Sequence, residues 1–597
     1  MTTWKSLALT VSMLMAAAVA AGQTPSTQPA AEVVATIDAA DAGKPFSRDL
    51  LGVNVDSEDA NEPGYRGVER YYDSLGPLDT PAVRYPGGLV ANFFHWAQTL
   101  GPLDQRTKQW NCFRFAQFTP HLGAAEFLVL LEQLKARGMA ILNLLDGTPE
   151  EAAAWVAFCR GRIGDTRTIG VDDQGTDWKT VDYWAQKRFE LTGLLEPVNV
   201  LYWELGNELI DGKNFTNAPD YCRKALDYAK AIRRIDPNIL IGWLAWDAEV
   251  LKDDRDLFDF HIIHIYTGWP RYGDRHIMWK AGTLVGEFEC PEPGEYTLDL
   301  KLAAMGINAR IIEIGMVPQA TVAIDGEPFE TVTLDRDYRA FSYSRELTAG
   351  KHRLEIEFAN DYCELGDDTN VIVEKFFTVR RGEHQATYTF PDKREDIRVG
   401  LAQARGYLEG LAEGCRTDIP GAFIGLTEYN RMECACFDLE TALYTAEMLR
   451  ICSEIPEVRN AMIWEACSWN FGIKCSLTGV ERPVYYVLQM ASRLGDRILP
   501  VRLGSDNPDL QLLATKDLLT GRLAVLATNL GPQPRMLRLT GPDGQALPFE
   551  RQTFICGNLT DENEQKPTIT PQTRTLTNEK TIAIPGFSVN LIDSKKD

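Results

Sequence analysis

Histidine is scarce in this chain: seven among 597 residues. None is spaced from a cysteine pair as metal ligands would be, which excludes a His/Cys metal centre as the basis of function. An excess of positive charge is also lacking, with 61 Lys+Arg against 84 Asp+Glu and a net charge of −23. That sign excludes nucleic acid and an anionic membrane surface as partners, because both need clustered Lys and Arg. Beyond the N-terminus no apolar run approaches the ~20 residues needed to cross a bilayer. The twelve cysteines form no dense framework. Cys434/Cys436 and Cys467/Cys475 are close in sequence, so one or two disulfides among buried thiols are expected.

What is present begins with a targeting segment. Lys5 precedes an apolar run from Leu7 to Ala21, with Ala18-Val19-Ala20 as a small-residue cleavage site. Residues 1–21 read as a signal peptide and 22–32 as a flexible linker, and no cysteine follows the cleavage site to carry a lipid. The mature protein is expected to be exported, to the periplasm or outside the cell. At 45% apolar and 24% charged residues, it can bury several cores, and its length calls for three or four domains.

Apolar strand-like runs alternate with amphipathic helices along most of the chain. The runs lie near residues 51, 83, 141, 201, 240, 263, 424 and 462. Helices are predicted at 124–138, 149–160, 219–234, 397–413, 438–454 and 482–493. Eight β/α units read as a closed (β/α)8 TIM barrel, spanning 46–274 and 393–495. The stretch between, 275–392, is β-rich with turn punctuation such as Asp325-Gly326. It reads as an inserted β-sandwich of carbohydrate-binding type. From 496 to 597 the chain is β again and reads as a C-terminal β-sandwich, which residues 33–45 join.

Two barrel strands end on carboxyls. The fourth closes on Gly206-Asn207-Glu208, and the seventh on Thr427-Glu428-Tyr429. Strand ends at the C-terminal face of such a barrel are where catalytic groups sit. Retaining glycosidic cleavage needs two carboxyls ~5–5.5 Å apart, one to protonate the leaving oxygen and one to attack the anomeric carbon. Glu208 is assigned as acid/base and Glu428 as nucleophile. Asn207 is placed to donate to a substrate hydroxyl beside the nucleophile. Tyr266 and Tyr429 are candidates to hydrogen-bond Glu428 or stack on the sugar. Arg84, on the second strand, is expected to hold Glu428 ionised. Glu204 shares parity with Glu208 and is expected to be structural, paired with an arginine. His95 and His264 are read as core or supporting residues, and Trp243, Trp246, Trp269 and Trp469 as packing or sugar platforms.

The same residues carry a resemblance. Trp203-Glu-Leu-Gly-Asn-Glu208 and Thr427-Glu428-Tyr429 resemble the acid/base and nucleophile motifs of clan A retaining glycoside hydrolases, in particular the α-L-arabinofuranosidases of glycoside hydrolase family 51. Arg84-Tyr-Pro-Gly-Gly88, His95-Trp96, Gly147-Thr-Pro-Glu-Glu-Ala152, His264 with Tyr266, and Arg482-Pro-Val-Tyr-Tyr-Val487 follow in the right order. The chain departs from the family pattern in three places. Leu89 stands where the family has Asn, with Asn92 the nearest amide. Asp56 stands where a sugar-binding Glu is usual, and Glu465 where a Gln is usual. By resemblance, Asp56 and Glu465 line the sugar pocket.

The insert carries a second resemblance. Phe358-Ala-Asn-Asp361-Tyr362 and Asp367-Asp368-Thr-Asn370 are similar to calcium-dependent xylan-binding modules. That implies a Ca2+ ion held by Asp361, Asp367, Asp368 and Asn370; an ordinary solvated turn is the alternative. Catalysis itself needs no cofactor. The expected function is retaining hydrolysis of plant-type polysaccharide or oligosaccharide, with α-L-arabinofuranosides first. A β-xylosidase or an endo-xylanase or glucanase of the same clan is the alternative, and a non-catalytic carbohydrate-binding protein the third reading. Oligomeric state is left open.

Overall fold

A computed structural model of the chain describes residues 32–594, apart from 58–67, 113–115, 210–214, 216, 269–270, 273–274, 279–280, 308, 365–366, 392–395, 432–436, 469–470, 477, 505–506, 565–566 and 578; of residues 271, 272, 309, 363, 364, 367 and 368 it describes the backbone. The expected signal peptide, and the linker up to residue 31, lie outside the described residues.

Eight parallel strands close into a barrel. They are β1 (Gly52–Asn54), β2 (Ala82–Tyr85), β3 (Arg137–Leu142), β4 (Val200–Leu205), β5 (Leu240–Trp243), β6 (Phe260–Thr267), β7 (Phe423–Arg431) and β8 (Val458–Ile463). These are the eight runs read from sequence, in the same order. Around them pack Ala124–Leu134, Pro149–Arg160, Ala218–Ile235, Ile397–Thr417, Leu439–Glu454 and Pro483–Ala491. Local chemistry starts these helices: Thr148 accepts from Glu151 N–H ahead of Pro149, and Asp438 accepts from Thr441 N–H. Four further α-helices stand among the described residues, Val68–Leu75, Val181–Thr192 and the short Ala248–Leu251 and Ala309–Glu313. The second presents only four buried residues among its twelve, so its apolar stripe is too thin to announce a helix by period.

The barrel floor is an apolar plug of Ala82, Met139, Tyr202, Phe260, Ile262, Phe423 and Met462. Polar side chains from the C-terminal halves of the same strands fill the level above it, and this layering positions the site.

Between β6 and the helix at 397 lie two antiparallel sheets with a core of their own. One is built on Gly294–Met305 and Asp367–Glu374, the other on Gly282–Cys290 and Gly350–Phe358. The first two-residue strand of this insert, Arg271–Tyr272, follows β6 after three residues. The C-terminal region forms a second pair of sheets, and Glu32–Ile37 pairs there with Val501–Leu503 and Arg535–Thr540. None of the nine cysteines whose side chains are described is joined to another of them by a disulfide. Cys467 and Cys475 sit on paired two-residue strands and form no disulfide, which corrects one expected pairing. Cys434 and Cys436 lie outside the described residues.

Candidate active site

Arg84 is the hub of the polar layer. It projects from β2 into the barrel and is fully buried. Its Nε and Nη2 donate to Glu204 Oε2 at 2.9 and 2.8 Å, and its Nη1 donates to Asn54 Oδ1 at 2.8 Å. The same Nη1 donates to Glu428 Oε1 at 2.8 Å, and Nη2 to Asn207 Oδ1 at 2.7 Å. One guanidinium therefore joins β1, β2, β4 and β7. Burial alone would lower the Arg84 pKa, but Glu204 and Glu428 outweigh it and raise it, so the group is a fixed cation. Glu204 is the structural partner of an arginine that its parity suggested.

A break in register aims Glu428. Along β6 and β7, Ile263 faces Leu426 and the next residue, His264, faces Glu428. Thr427 is the extra residue of a β-bulge, a device that re-aims side chains beside active sites. Glu428 is turned inward and 4% exposed. Its Oε1 accepts from Arg84, and its Oε2 accepts from the Tyr266 hydroxyl at 2.7 Å. Burial, then Glu428 and Glu208, push the Tyr266 pKa well above its ordinary value, so this hydroxyl stays a donor.

Glu208 lies past the end of β4, on a turn that needs unusual backbone. Gly206 has φ 83°, and a Cβ there would sit 2.2 Å from Leu209 Cδ1. Glu208 itself has φ 50°, a left-handed conformation that costs a non-glycine residue about 1–2 kcal/mol and that clusters at functional sites. Its Oε1 meets His264 Nδ1 at 2.7 Å. The same Nδ1 lies 3.5 Å from Glu428 Oε2, and His264 Nε2 lies 3.2 Å from Thr427 Oγ1. His264 thus stands between the two carboxyls. Burial would lower its pKa, but Glu428 and then Glu208 raise it above the ordinary value. Carboxylate oxygens of Glu208 and Glu428 lie within 4.8 Å of each other.

Asn207 completes the group. Its Oδ1 is committed to Arg84, which orients the carboxamide, and its Nδ2 is buried without a hydrogen-bond partner among the described residues.

The remaining sequence candidates divide. Asp56, past β1, packs its carboxylate on Gly87: a Cβ there would lie 2.3 Å from Asp56 Oδ2. Glu465, after β8, is buried and close enough to Tyr266 to raise its pKa. Both border the cluster. Tyr429 does not. It alternates outward from Glu428, into the layer beneath the helix Leu439–Glu454, beside Cys452 and Tyr444. It cannot touch Glu428 or a sugar there, which corrects its assignment. Asn92 lies beneath the turn at Asn207 rather than in the sugar pocket. Trp243 is buried in a stack with His261 and is packing; Trp269 and Trp469 lie outside the described residues. Sequence reasoning undervalued His264, because a lone histidine on a strand carries no sign of the bulge that sets it opposite Glu428.

In the insert, Tyr362–Glu364 pairs with Asp367–Glu374, Tyr362 facing Thr369. Asp361 and Asn370 therefore flank the base of one hairpin, each with a buried side-chain oxygen. Oxygen donors of this kind fit calcium; the Asp367 and Asp368 side chains lie outside the described residues.

Known proteins match in two segments and in overall shape. Residues 74–279 match the alpha-L-arabinofuranosidase 1 domain family. Residues 304–387 match the Ca-dependent, xylan-binding carbohydrate-binding module family. A probable alpha-L-arabinofuranosidase C of Aspergillus fumigatus is 31% identical over 268 residues, 42% of this chain and 48% of the fungal protein. An intracellular exo-alpha-(1->5)-L-arabinofuranosidase of Halalkalibacterium halodurans is 26% identical over 224 residues, 35% of this chain and 41% of that protein. The chain thus spans about half the length of the curated relatives it matches. The structure of the family 51 alpha-L-arabinofuranosidase of Thermotoga petrophila superposes with a TM-score of 0.62 at 16% identity, over 94% of this chain and 100% of that one. This last likeness shows the shared fold: a closed eight-stranded barrel with a trailing sandwich.

Proposed function

We propose that the chain is a retaining glycoside hydrolase acting on α-L-arabinofuranosides of plant-type polysaccharide or oligosaccharide. The spacing of Glu208 and Glu428 carries the reading. Oxygens within 4.8 Å match the ~5–5.5 Å of a double displacement and leave no room for the water that an inverting enzyme holds at ~6.5–9.5 Å.

Glu428 attacks the anomeric carbon while Glu208 gives its proton to the leaving glycosidic oxygen. The C–O bond breaks, the alcohol departs, and a glycosyl ester forms on Glu428. Glu208, now a carboxylate, takes a proton from an entering water. The hydroxide displaces Glu428 and restores both groups. Arg84 and Tyr266 hold Glu428 through one oxygen each, so that its charge is stabilised and its direction fixed. The Asn207 Nδ2–H, buried beside the nucleophile, is the donor offered to a sugar hydroxyl, an interaction that strengthens as positive charge develops on the ring. His264, whose Nδ1 meets Glu208 Oε1 and lies 3.5 Å from Glu428 Oε2, sets the acid carboxyl beside the nucleophile.

Two observations favour a β-xyloside or xylan backbone as a second substrate: apolar Leu89 stands where the resembled family has Asn, and a segment matches a xylan-binding family. Profiling on aryl glycosides separates them. Turnover of the arabinofuranoside supports the first reading. Clear turnover of a xyloside beside an inert arabinofuranoside overturns it, and no turnover of any glycoside supports a non-catalytic binding protein.

For the insert, the proposal is glycan binding with a calcium ion held by Asp361 and Asn370, together with Asp367 and Asp368. Bound calcium would supply a hard Lewis-acid point for sugar hydroxyls. Export through the N-terminal segment is part of the same proposal. Among the described residues no helix is long and apolar enough to cross a membrane.

A further inference from the structure

The turn that carries Glu208 is held from outside its own strand. Asn92 belongs to the short 3-10 segment Leu89–Phe93, which follows Gly87-Gly88, and it is 1% exposed. Its carboxamide makes both of its hydrogen bonds to one residue. Nδ2 donates to the Asn207 carbonyl at 2.7 Å, and Oδ1 accepts from the Asn207 N–H at 3.0 Å. Asn207 stands between two residues in left-handed backbone, Gly206 at φ 83° and Glu208 at φ 50°. A chain that turns this way leaves the ladder of β4, so its buried N–H and C=O need partners from elsewhere. One side chain supplies both.

We propose that Asn92 is a positioning residue for catalysis: by closing both backbone hydrogen bonds of Asn207, it holds the strained turn from which Asn207 addresses the sugar and Glu208 the leaving oxygen. The inference rests on the glycosidase reading of Glu208. The path of coupling is short. The peptide of Asn207 is pinned by Asn92, its side chain by Arg84, and Glu208 is the next residue. Without the clamp, the turn relaxes toward ordinary backbone, the left-handed residue being the one under strain. Glu208 then loses its aim before the protein loses its fold, because Arg84, Glu204, Asn54 and Glu428 remain joined without Asn92.

Full-length Asn92→Ala and Asn92→Asp test this. Hydrogen exchange of a peptide covering Asn207 reads the clamp without any substrate. Exchange at least tenfold faster in Asn92→Ala is expected; unchanged exchange overturns the proposal. Turnover is then read on whichever aryl glycoside the wild type hydrolyses, so failure of the arabinofuranoside assignment does not hide the result. Asn92→Ala is expected to lose tenfold or more in kcat/KM on a poor leaving group and less on a good one, with a melting temperature near wild type. Asn92→Asp adds a readout that a packing role would not move. A protonated carboxyl has one donor and one acceptor, as the amide does, whereas a carboxylate repels the Asn207 carbonyl. Its activity relative to wild type is expected to recover as pH falls through the new carboxyl's pKa, while the Asn92→Ala ratio stays flat. Equal losses on all leaving groups, with parallel pH profiles for both variants, would refute the positioning role.

Discussion

Arg84 and Glu428 form a salt bridge of 2.8 Å in which the arginine side chain is 0% and the glutamate side chain 5% exposed. A pair so far out of water contributes little to stability, since desolvation offsets most of the attraction; it fixes the direction of one carboxylate oxygen. Arg84→Met strands Glu204 as well as Glu428, and loss of one partner in such a network costs about 3–5 kcal/mol. The expected result is a clear fall in melting temperature together with loss of turnover. Arg84→Lys, which keeps the charge and loses the fork, is expected to restore more stability than activity. Thermal melts beside kcat measure both, and a variant that melts like wild type would contradict the hub.

The Tyr266 hydroxyl donates to Glu428 Oε2 at 2.7 Å. A hydrogen bond to a charged group contributes about 1.5–3 kcal/mol. Tyr266→Phe is expected to lower kcat roughly 10- to 150-fold, on the scale of tenfold per 1.36 kcal/mol, with the fold intact by circular dichroism. A loss below threefold would mean that Arg84 alone orients the nucleophile.

Glu208→Ala removes the acid but not the nucleophile. Hydrolysis of substrates with good leaving groups is expected to survive far better than that of natural glycosides, because only poor leaving groups need the proton. Glu428→Gln is expected to abolish turnover of both. Kinetics on a series of aryl glycosides decide; equal loss across the series for Glu208→Ala would refute its role.

His95 links the segment after β2 to the segment after β3. Hydrogen bonds to Asp146 and then Glu151 push its pKa up to about 10. A histidine whose pKa rises on folding contributes stability that is full below its unfolded value, about 6.5, and is lost as pH rises through the folded value. The deficit in melting temperature of His95→Gln is therefore expected to be largest at pH 6 and to close by about pH 10. A deficit independent of pH would show that His95 acts by packing alone.

Much of this architecture is legible in the residues. The eight barrel strands are apolar runs, and a buried parallel strand leaves that mark wherever it occurs. The carboxyls announce themselves because each breaks such a run at its end. What the residues conceal is register. The bulge at Thr427 aims Glu428 inward and sets His264 between the carboxyls, and nothing local in Leu426-Thr427-Glu428-Tyr429 signals it. Tyr429 is a different case: with Glu428 facing inward, the alternation of a strand already turns its neighbour outward. Asn92 is concealed differently: its partner Asn207 lies 115 residues away, and pairing across that distance is visible only after folding. Val181–Thr192 lacked a stripe wide enough to be read.

The central claim is a double displacement, and the configuration of the first sugar released tests it most directly. Proton NMR recorded early in the hydrolysis of an aryl glycoside, before mutarotation, is expected to show product with the anomeric configuration of the substrate. First product of the opposite configuration would mean that a water, not Glu428, attacks the anomeric carbon, and would contradict the account built on the spacing of Glu208 and Glu428.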